Sequence, residues 1–117
     1  MTTCIHTLFS AWGDPNADSR ASKTDAAVGS SLYYADPNTP APIRSRDAYL
    51  EHLAMFGQMM PGATARVVAL SEHNGHVRAT VDFLKGDETM MRGQYFADIQ
   101  DGKVVRLIGF PGMGEPQ

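Results

Sequence analysis

Tyr34-Ala35-Asp36-Pro37 sets a carboxylate directly before a proline and two residues after a tyrosine. The residue before a proline is kept out of the helical region, so this stretch runs extended. In an extended chain residues two apart point the same way, so Tyr34 and Asp36 share a side. A carboxylate beside a phenol can move a proton if apolar walls raise its pKa toward neutrality. The same dipeptide has a second reading. An aspartate before proline starts a turn by accepting hydrogen bonds from backbone amides just ahead of it. Both readings stay open at the level of sequence.

Other reactive side chains are fewer. His52 falls among Met55, Phe56 and Met59. It is either a pocket acid or base or a partly buried side chain with a backbone partner. His73 and His76 flank Asn74-Gly75 and read as exposed; no third ligand accompanies them, so no metal is expected. Cys4 has only His6 as a basic neighbour, which gives no support to thiolate chemistry. No glycine-rich phosphate loop, Cys-x-x-Cys pair or histidine-rich motif occurs, so no cofactor is expected either.

The elements that must position these groups follow from periodicity. Ile5, Leu8, Phe9 and Trp12 recur at helical spacing and predict a helix from about Thr3 to Trp12, capped by Thr2 or Thr3. Gly13-Asp14-Pro15-Asn16 breaks it. A second helix is predicted over 17–28, ended by Gly29-Ser30-Ser31, with a short extended piece over 32–35. A third begins after Ser45, carries Tyr49, Leu53, Phe56 and Met60 on one stripe, and stops at Pro61-Gly62.

From there the pattern changes to strands: 65–72, 76–83, 92–100 and 103–110, with 85–89 as a loop. Asn74-Gly75 and Asp101-Gly102 are tight hairpin turns, because a two-residue turn of this type needs positive φ at both positions. Val77, Ala79, Val81 and Phe83 share one face of their strand, opposite His76, Arg78, Thr80 and Asp82. Arg78 and Asp82 are expected to pair on that outer face. Val104, Val105, Leu107 and Ile108 leave the last strand apolar on both sides, as in a covered central strand. Helices followed by an antiparallel meander make an α+β domain.

The chain has 117 residues, a length that suits one domain spanning 1–117. Its net charge of -3 and lack of a Lys/Arg block argue against nucleic acid or an anionic membrane as partner. One cysteine permits no intrachain disulfide and fits a reducing, cytoplasmic setting. Neither a signal peptide nor a spanning helix is expected, since no apolar run approaches the roughly 20 residues required. Seven methionines suit a loose core or a permissive pocket.

The order and spacing of several motifs carry a resemblance. They are Trp12 at the end of the first helix, Tyr34-Ala35-Asp36-Pro37 before the third and Pro61-Gly62 after it. They continue with His73-Asn74-Gly75-His76-Val77-Arg78 across a hairpin and Gln100-Asp101-Gly102-Lys103-Val104 leading to Gly109-Phe110. Together they resemble the nuclear transport factor 2-like superfamily, in its SnoaL-like and ketosteroid-isomerase-like branch.

The resemblance implies a cone-shaped barrel of three N-terminal helices on a strongly curved antiparallel sheet. It also implies a deep apolar pocket and a homodimer through the sheet face. Isomerases, cyclases, dehydratases, epoxide hydrolases and non-catalytic members share that fold, so the fold alone does not settle the activity.

On this resemblance Asp36 stands where ketosteroid isomerase has its general base. That enzyme also needs donors for a developing enolate oxygen. The matching positions are Leu8 or Phe9, which cannot donate, and Gln94 or Tyr95, either of which can. An epoxide hydrolase of this fold needs two aspartates around an arginine. Only Asp82 matches, with Thr80 and Ile108 at the other positions. The expectation is therefore a small-molecule-binding protein, an isomerase, cyclase or lyase with Asp36, Tyr34 and Tyr95 as acting groups. Trp12, His52, Met55, Phe56, Met59, Gln94 and Phe96 would line its pocket around an apolar or amphipathic ligand. The alternative is a non-catalytic binding or dimerisation module in which Asp36 only forms a turn.

Overall fold

Three helices and five strands succeed one another: α1 (Thr3–Ser10), α2 (Ala17–Ala27), β1 (Val28–Ala35), α3 (Arg46–Met59), β2 (Ala63–His73), β3 (His76–Lys85), β4 (Glu88–Gln100) and β5 (Lys103–Pro111). The structure, a computed structural model, describes residues 2–112. The α+β architecture predicted from the sequence is the one observed.

The helices are set by caps and apolar stripes. In α1, Cys4, Ile5, Leu8 and Phe9 are buried. Thr2 holds the N-cap position, but its side chain makes no capping bond. The helix stops at Ser10 rather than Trp12, because the chain turns sharply at Gly13. That glycine has φ +82, and a Cβ there would fall 1.9 Å from the Ala63 carbonyl oxygen. Trp12 thus reaches the core from a turn, not from a helix face. Asn16 caps α2 by accepting from the Ser19 amide at 2.9 Å. Ser45 caps α3 by accepting from the Ala48 amide at 3.1 Å. Tyr49 and Leu53 anchor α3, while Met59 at its far end is 76% exposed. The apolar stripe therefore runs off the core toward the C-terminal end of the helix.

The sheet has the order β1-β5-β4-β3-β2. β2 to β5 form the antiparallel meander, with Asn74, Gly75, Asp101 and Gly102 all at positive φ in the two tight turns. β1 joins the edge beside β5 in parallel, so the sheet is mixed and not wholly antiparallel. Gly29-Ser30-Ser31 does not break the chain but belongs to β1; the ladder slips between Val28 and Tyr33, and that irregularity accommodates the weak strand formers. The segment predicted as a loop over 85–89 is mostly strand, reversed at Gly86 (φ 63), so Met90 and Met91 lie in β4.

Register slips also occur at Val67/Ala69, Phe83/Leu84 and Asp98/Ile99. Such bulges bend and twist a sheet, here around the helices. Val77, Ala79, Val81 and Phe83 face the helices with Val104 and Leu107. On the opposite face Asp82 does not pair with Arg78. It is 3% exposed and takes two hydrogen bonds from Arg92, its neighbour across the ladder. Directly opposed residues lie about 5 Å apart, closer than residues four apart on one strand. Among the described residues no helix is long and apolar enough to cross a membrane.

Candidate functional site

A cavity of about 340 Å³ lies between the turn after α1, helix α3 and the inward faces of β3 and β4. Trp12, Phe56, Phe83 and Tyr95 form its aromatic walls. Met55, Met59, Met60 and Met91 surround its opening, and Asp36, Asn38 and His52 make one polar side. A neighbouring hollow of about 290 Å³ shares Asp36, Asn38, Phe83, Met91 and Tyr95 and extends to Gly109 and Pro111. Ring contacts run across the walls: Trp12 to Phe56 at 5.2 Å, Trp12 to Phe83 at 5.8 Å and Phe56 to Phe83 at 5.6 Å. The Trp12 indole N–H donates to the Tyr49 hydroxyl at 3.1 Å, which fixes the indole plane.

Asp36 combines the two readings of the sequence. Its Oδ1 accepts from the Asn38 amide at 2.7 Å, and its carbonyl accepts from the Thr39 amide at 3.1 Å, so it does shape the turn. Its Oδ2 turns the other way, accepting from the Tyr34 hydroxyl and lying 3.2 Å from His52 Nε2. The side chain is 7% exposed. Burial pushes the carboxyl pKa up, but the hydrogen bonds from His52, Tyr34 and the Asn38 amide together outweigh it. The net direction is downward. Apolar walls therefore do not bring this acid toward neutrality; its three donors keep it ionised.

Tyr34 is fully buried and spends its proton on Asp36. Burial, then the Tyr95 and Asp36 charges, push its pKa far up. It supports the carboxylate from behind and does not line the cavity. Tyr95 does line it. Burial first and the Asp36 charge next hold its hydroxyl protonated, the Tyr34 hydroxyl offsetting part of this. His52 projects from α3 with its ring edge toward Trp12, 5.6 Å between centroids. Nε2 faces Asp36, while Nδ1 has no hydrogen bond among the described residues. Among the described residues, Thr24 Oγ1 is the one buried side-chain nitrogen or oxygen without a partner, so the unpartnered Nδ1 of His52 keeps some access.

Gln94 and Phe96 lie outside the cavity, on the other face of the sheet. The Gln94 side chain accepts from the Thr80 hydroxyl at 2.7 Å and donates to the Gly112 carbonyl at 3.2 Å. Phe96 is exposed and meets Phe110 edge to face at 5.8 Å. Side chains alternate along a strand, so once Tyr95 points inward its two neighbours cannot. The same alternation puts Thr80, Asp82 and Ile108 away from the cavity, which removes the epoxide-hydrolase arrangement. Leu8 and Phe9 are core residues without a donor. Phe83, Met91, Asn38 and Met60 join the site without having been named for it. Met91 was legible as the residue in phase with Gly93 and Tyr95, had its segment been read as strand. Among the described residues no group of three or more His, Cys, Asp or Glu side chains could hold a metal ion.

No protein-family model and no curated protein sequence matches the chain. Solved structures do. A candidate isomerase of the SnoaL-like family from Agrobacterium tumefaciens superposes with a TM-score of 0.84 at 17% identity, covering 95% of this chain and 96% of that one. A candidate SnoaL-like polyketide cyclase from a Jannaschia species gives 0.75 at 11% identity, over 94% and 83%. A protein of ketosteroid isomerase-like fold from Catenulispora acidiphila, in complex with trimethylamine, gives 0.72 at 12% identity, over 91% and 82%. The helical cap, the bent sheet and these neighbours agree: the chain has the SnoaL-like form of the nuclear transport factor 2-like fold.

Proposed function

We propose that the chain binds a small, mostly apolar molecule in this cavity and moves a proton on it, in an isomerase, cyclase or lyase reaction. One observation carries the reading: a carboxylate–imidazole pair stands on the wall of a mostly apolar, aromatic cavity. The volume lies in the range of about 300–1,000 Å³ usual for small-molecule sites. Isomerase and cyclase assignments among the structural neighbours support it, as does the small amine held by one of them.

Asp36, with three donors and a lowered pKa, is a poor base. It is suited to hold His52 by Nε2–H and to balance an imidazolium charge. His52 Nδ1 is the free lone pair that takes the proton. The Tyr95 hydroxyl is the donor available to an oxygen on which charge develops. Trp12, Phe56 and the methionines keep water away.

The test is proton exchange. A panel of aryl ketones and β-keto esters is incubated with the protein in D2O and followed by proton NMR. Acceleration over buffer is expected, and His52→Gln removes about 10²- to 10⁴-fold of it. Binding is followed in parallel through Trp12, the only tryptophan in the chain. Binding without exchange would favour a second reading, a non-catalytic ligand carrier. The turn-forming bonds of Asp36 are the observation on its side.

The reading includes a homodimer through the outer face of the sheet, where Val68, Phe96 and Phe110 are exposed.

A further inference from the structure

Asp36 differs from most of the other ion-paired aspartates among the described residues; Asp98 also faces an imidazole, that of His76, but it is 39% exposed where Asp36 is 7%. Asp14 pairs with Lys23, Asp25 with Arg46 and Asp82 with Arg92. Asp36 is as buried as these or more so, apart from Asp82, yet among the described residues its only ion-pair partner is an imidazole. A carboxylate removed from water is costly unless a charge compensates it. Neutral donors from Tyr34 and Asn38 satisfy its lone pairs without cancelling its charge. The cavity in front of it is walled by Trp12, Phe56, Phe83 and Tyr95, whose π faces are electron-rich. The polarizable thioethers of Met55, Met59 and Met91 flank the opening.

We propose that the cavity recognises a cation, a tertiary or quaternary alkylammonium group, with its methyl groups against the aromatic rings and its charge opposite Asp36. A primary ammonium fits less well. Its three N–H donors require three acceptors, and the cavity offers few beside the carboxylate. An alkylated ammonium needs no such set: its charge is diffuse and its surface apolar. This inference rests on the cavity being a ligand site, and it names the class of ligand that site takes.

A pair of soluble isosteres separates the charge from the shape. Choline and 3,3-dimethylbutan-1-ol differ by the exchange of N⁺ for carbon. Both are titrated into the full chain by calorimetry and by Trp12 fluorescence. Choline is expected to bind about tenfold more tightly than the alcohol. Asp36→Asn, which keeps an oxygen to accept from the Asn38 amide, should abolish the preference for choline over the alcohol. Phe56→Leu, which leaves Asp36 untouched, should weaken choline more than the alcohol. Equal or tighter binding of the alcohol by the unmodified protein overturns the cation inference and leaves the cavity reading in place. No binding of either compound overturns both.

Discussion

Tyr95 occupies its place because two residues beside it have no side chain. A Cβ at Gly109 would lie 2.6 Å from the Tyr95 ring, and one at Gly93 would lie 3.2 Å from it. The ring is lodged between two glycines and packs edge-on against Phe9 at 4.9 Å between centroids. Gly109→Ala is therefore expected to push the ring toward the cavity and to destabilise the fold by about 1–3 kcal/mol, as overpacking does. Denaturant unfolding gives the stability change, and Trp12 fluorescence with the choline titration gives the loss of cavity space. An alanine variant with unchanged stability and binding would show the ring free to swing aside. At this scale Asp36 was legible in the sequence, because the following proline fixes its backbone and Tyr34 two residues earlier fixes its company. His52 was legible only as an ambiguity, since nothing local indicates that a residue sixteen positions earlier receives its Nε2. Gln94 and Phe96 were misplaced for a simple reason: three successive strand residues cannot face one cavity, and the phase had to be chosen by Tyr95.

At the scale of elements, most of what was legible came from turns and caps. Asn74-Gly75, Asp101-Gly102, Asn16 and Ser45 work through bonds a few residues away, so local sequence specifies them. β1 was obscured because Gly29-Ser30-Ser31 has no strand preference of its own. Its pairing is supplied by β5, more than seventy residues later. The first half of β4 was obscured in the same way, with β3 pairing Thr89 and Met91 on either side of a slip at Met90. One element carries a defect. Thr24 on α2 is buried, and its hydroxyl has no hydrogen-bond partner among the described residues. An unmade hydrogen bond at a buried hydroxyl costs about 1–3 kcal/mol. Thr24→Val keeps the shape and removes the polar atom, so it is expected to stabilise the protein by about 1 kcal/mol. That corresponds to a melting temperature roughly 4 °C higher for a domain of this size. A lower melting temperature by calorimetry would mean that the hydroxyl finds a bonding partner, such as water, in solution.

For the molecule as a whole, the sheet has two faces with different fates. The inner one is closed by helices and holds the cavity. The outer one carries Phe96 and Phe110 in contact with each other, Val68 on β2, and the half-buried Val105 and Ile108, with Arg78, Arg106 and the His76–Asp98 pair around them. Apolar centres with a polar rim are the usual make-up of a protein interface. A molecule measuring 34 × 34 × 27 Å can offer the roughly 800 Å² per partner that a stable complex buries. A two-fold axis through such a face would bring each Phe96–Phe110 pair against its copy, so one substitution acts twice in every dimer. Phe96→Lys places two like charges at the centre of the contact without touching the core, because the side chain already points outward. Sedimentation equilibrium at micromolar concentration is expected to give a dimer for the unmodified chain and a monomer for the variant. The variant should keep the same far-ultraviolet circular dichroism. Its cavity lies on the other side of the sheet, so its choline affinity should stay within about twofold of the original, as additivity between distant sites implies. A monomeric unmodified chain would refute the dimer. A monomeric variant that had also lost choline binding would mean instead that the two faces are coupled, with the dimer holding the curvature that keeps the cavity open.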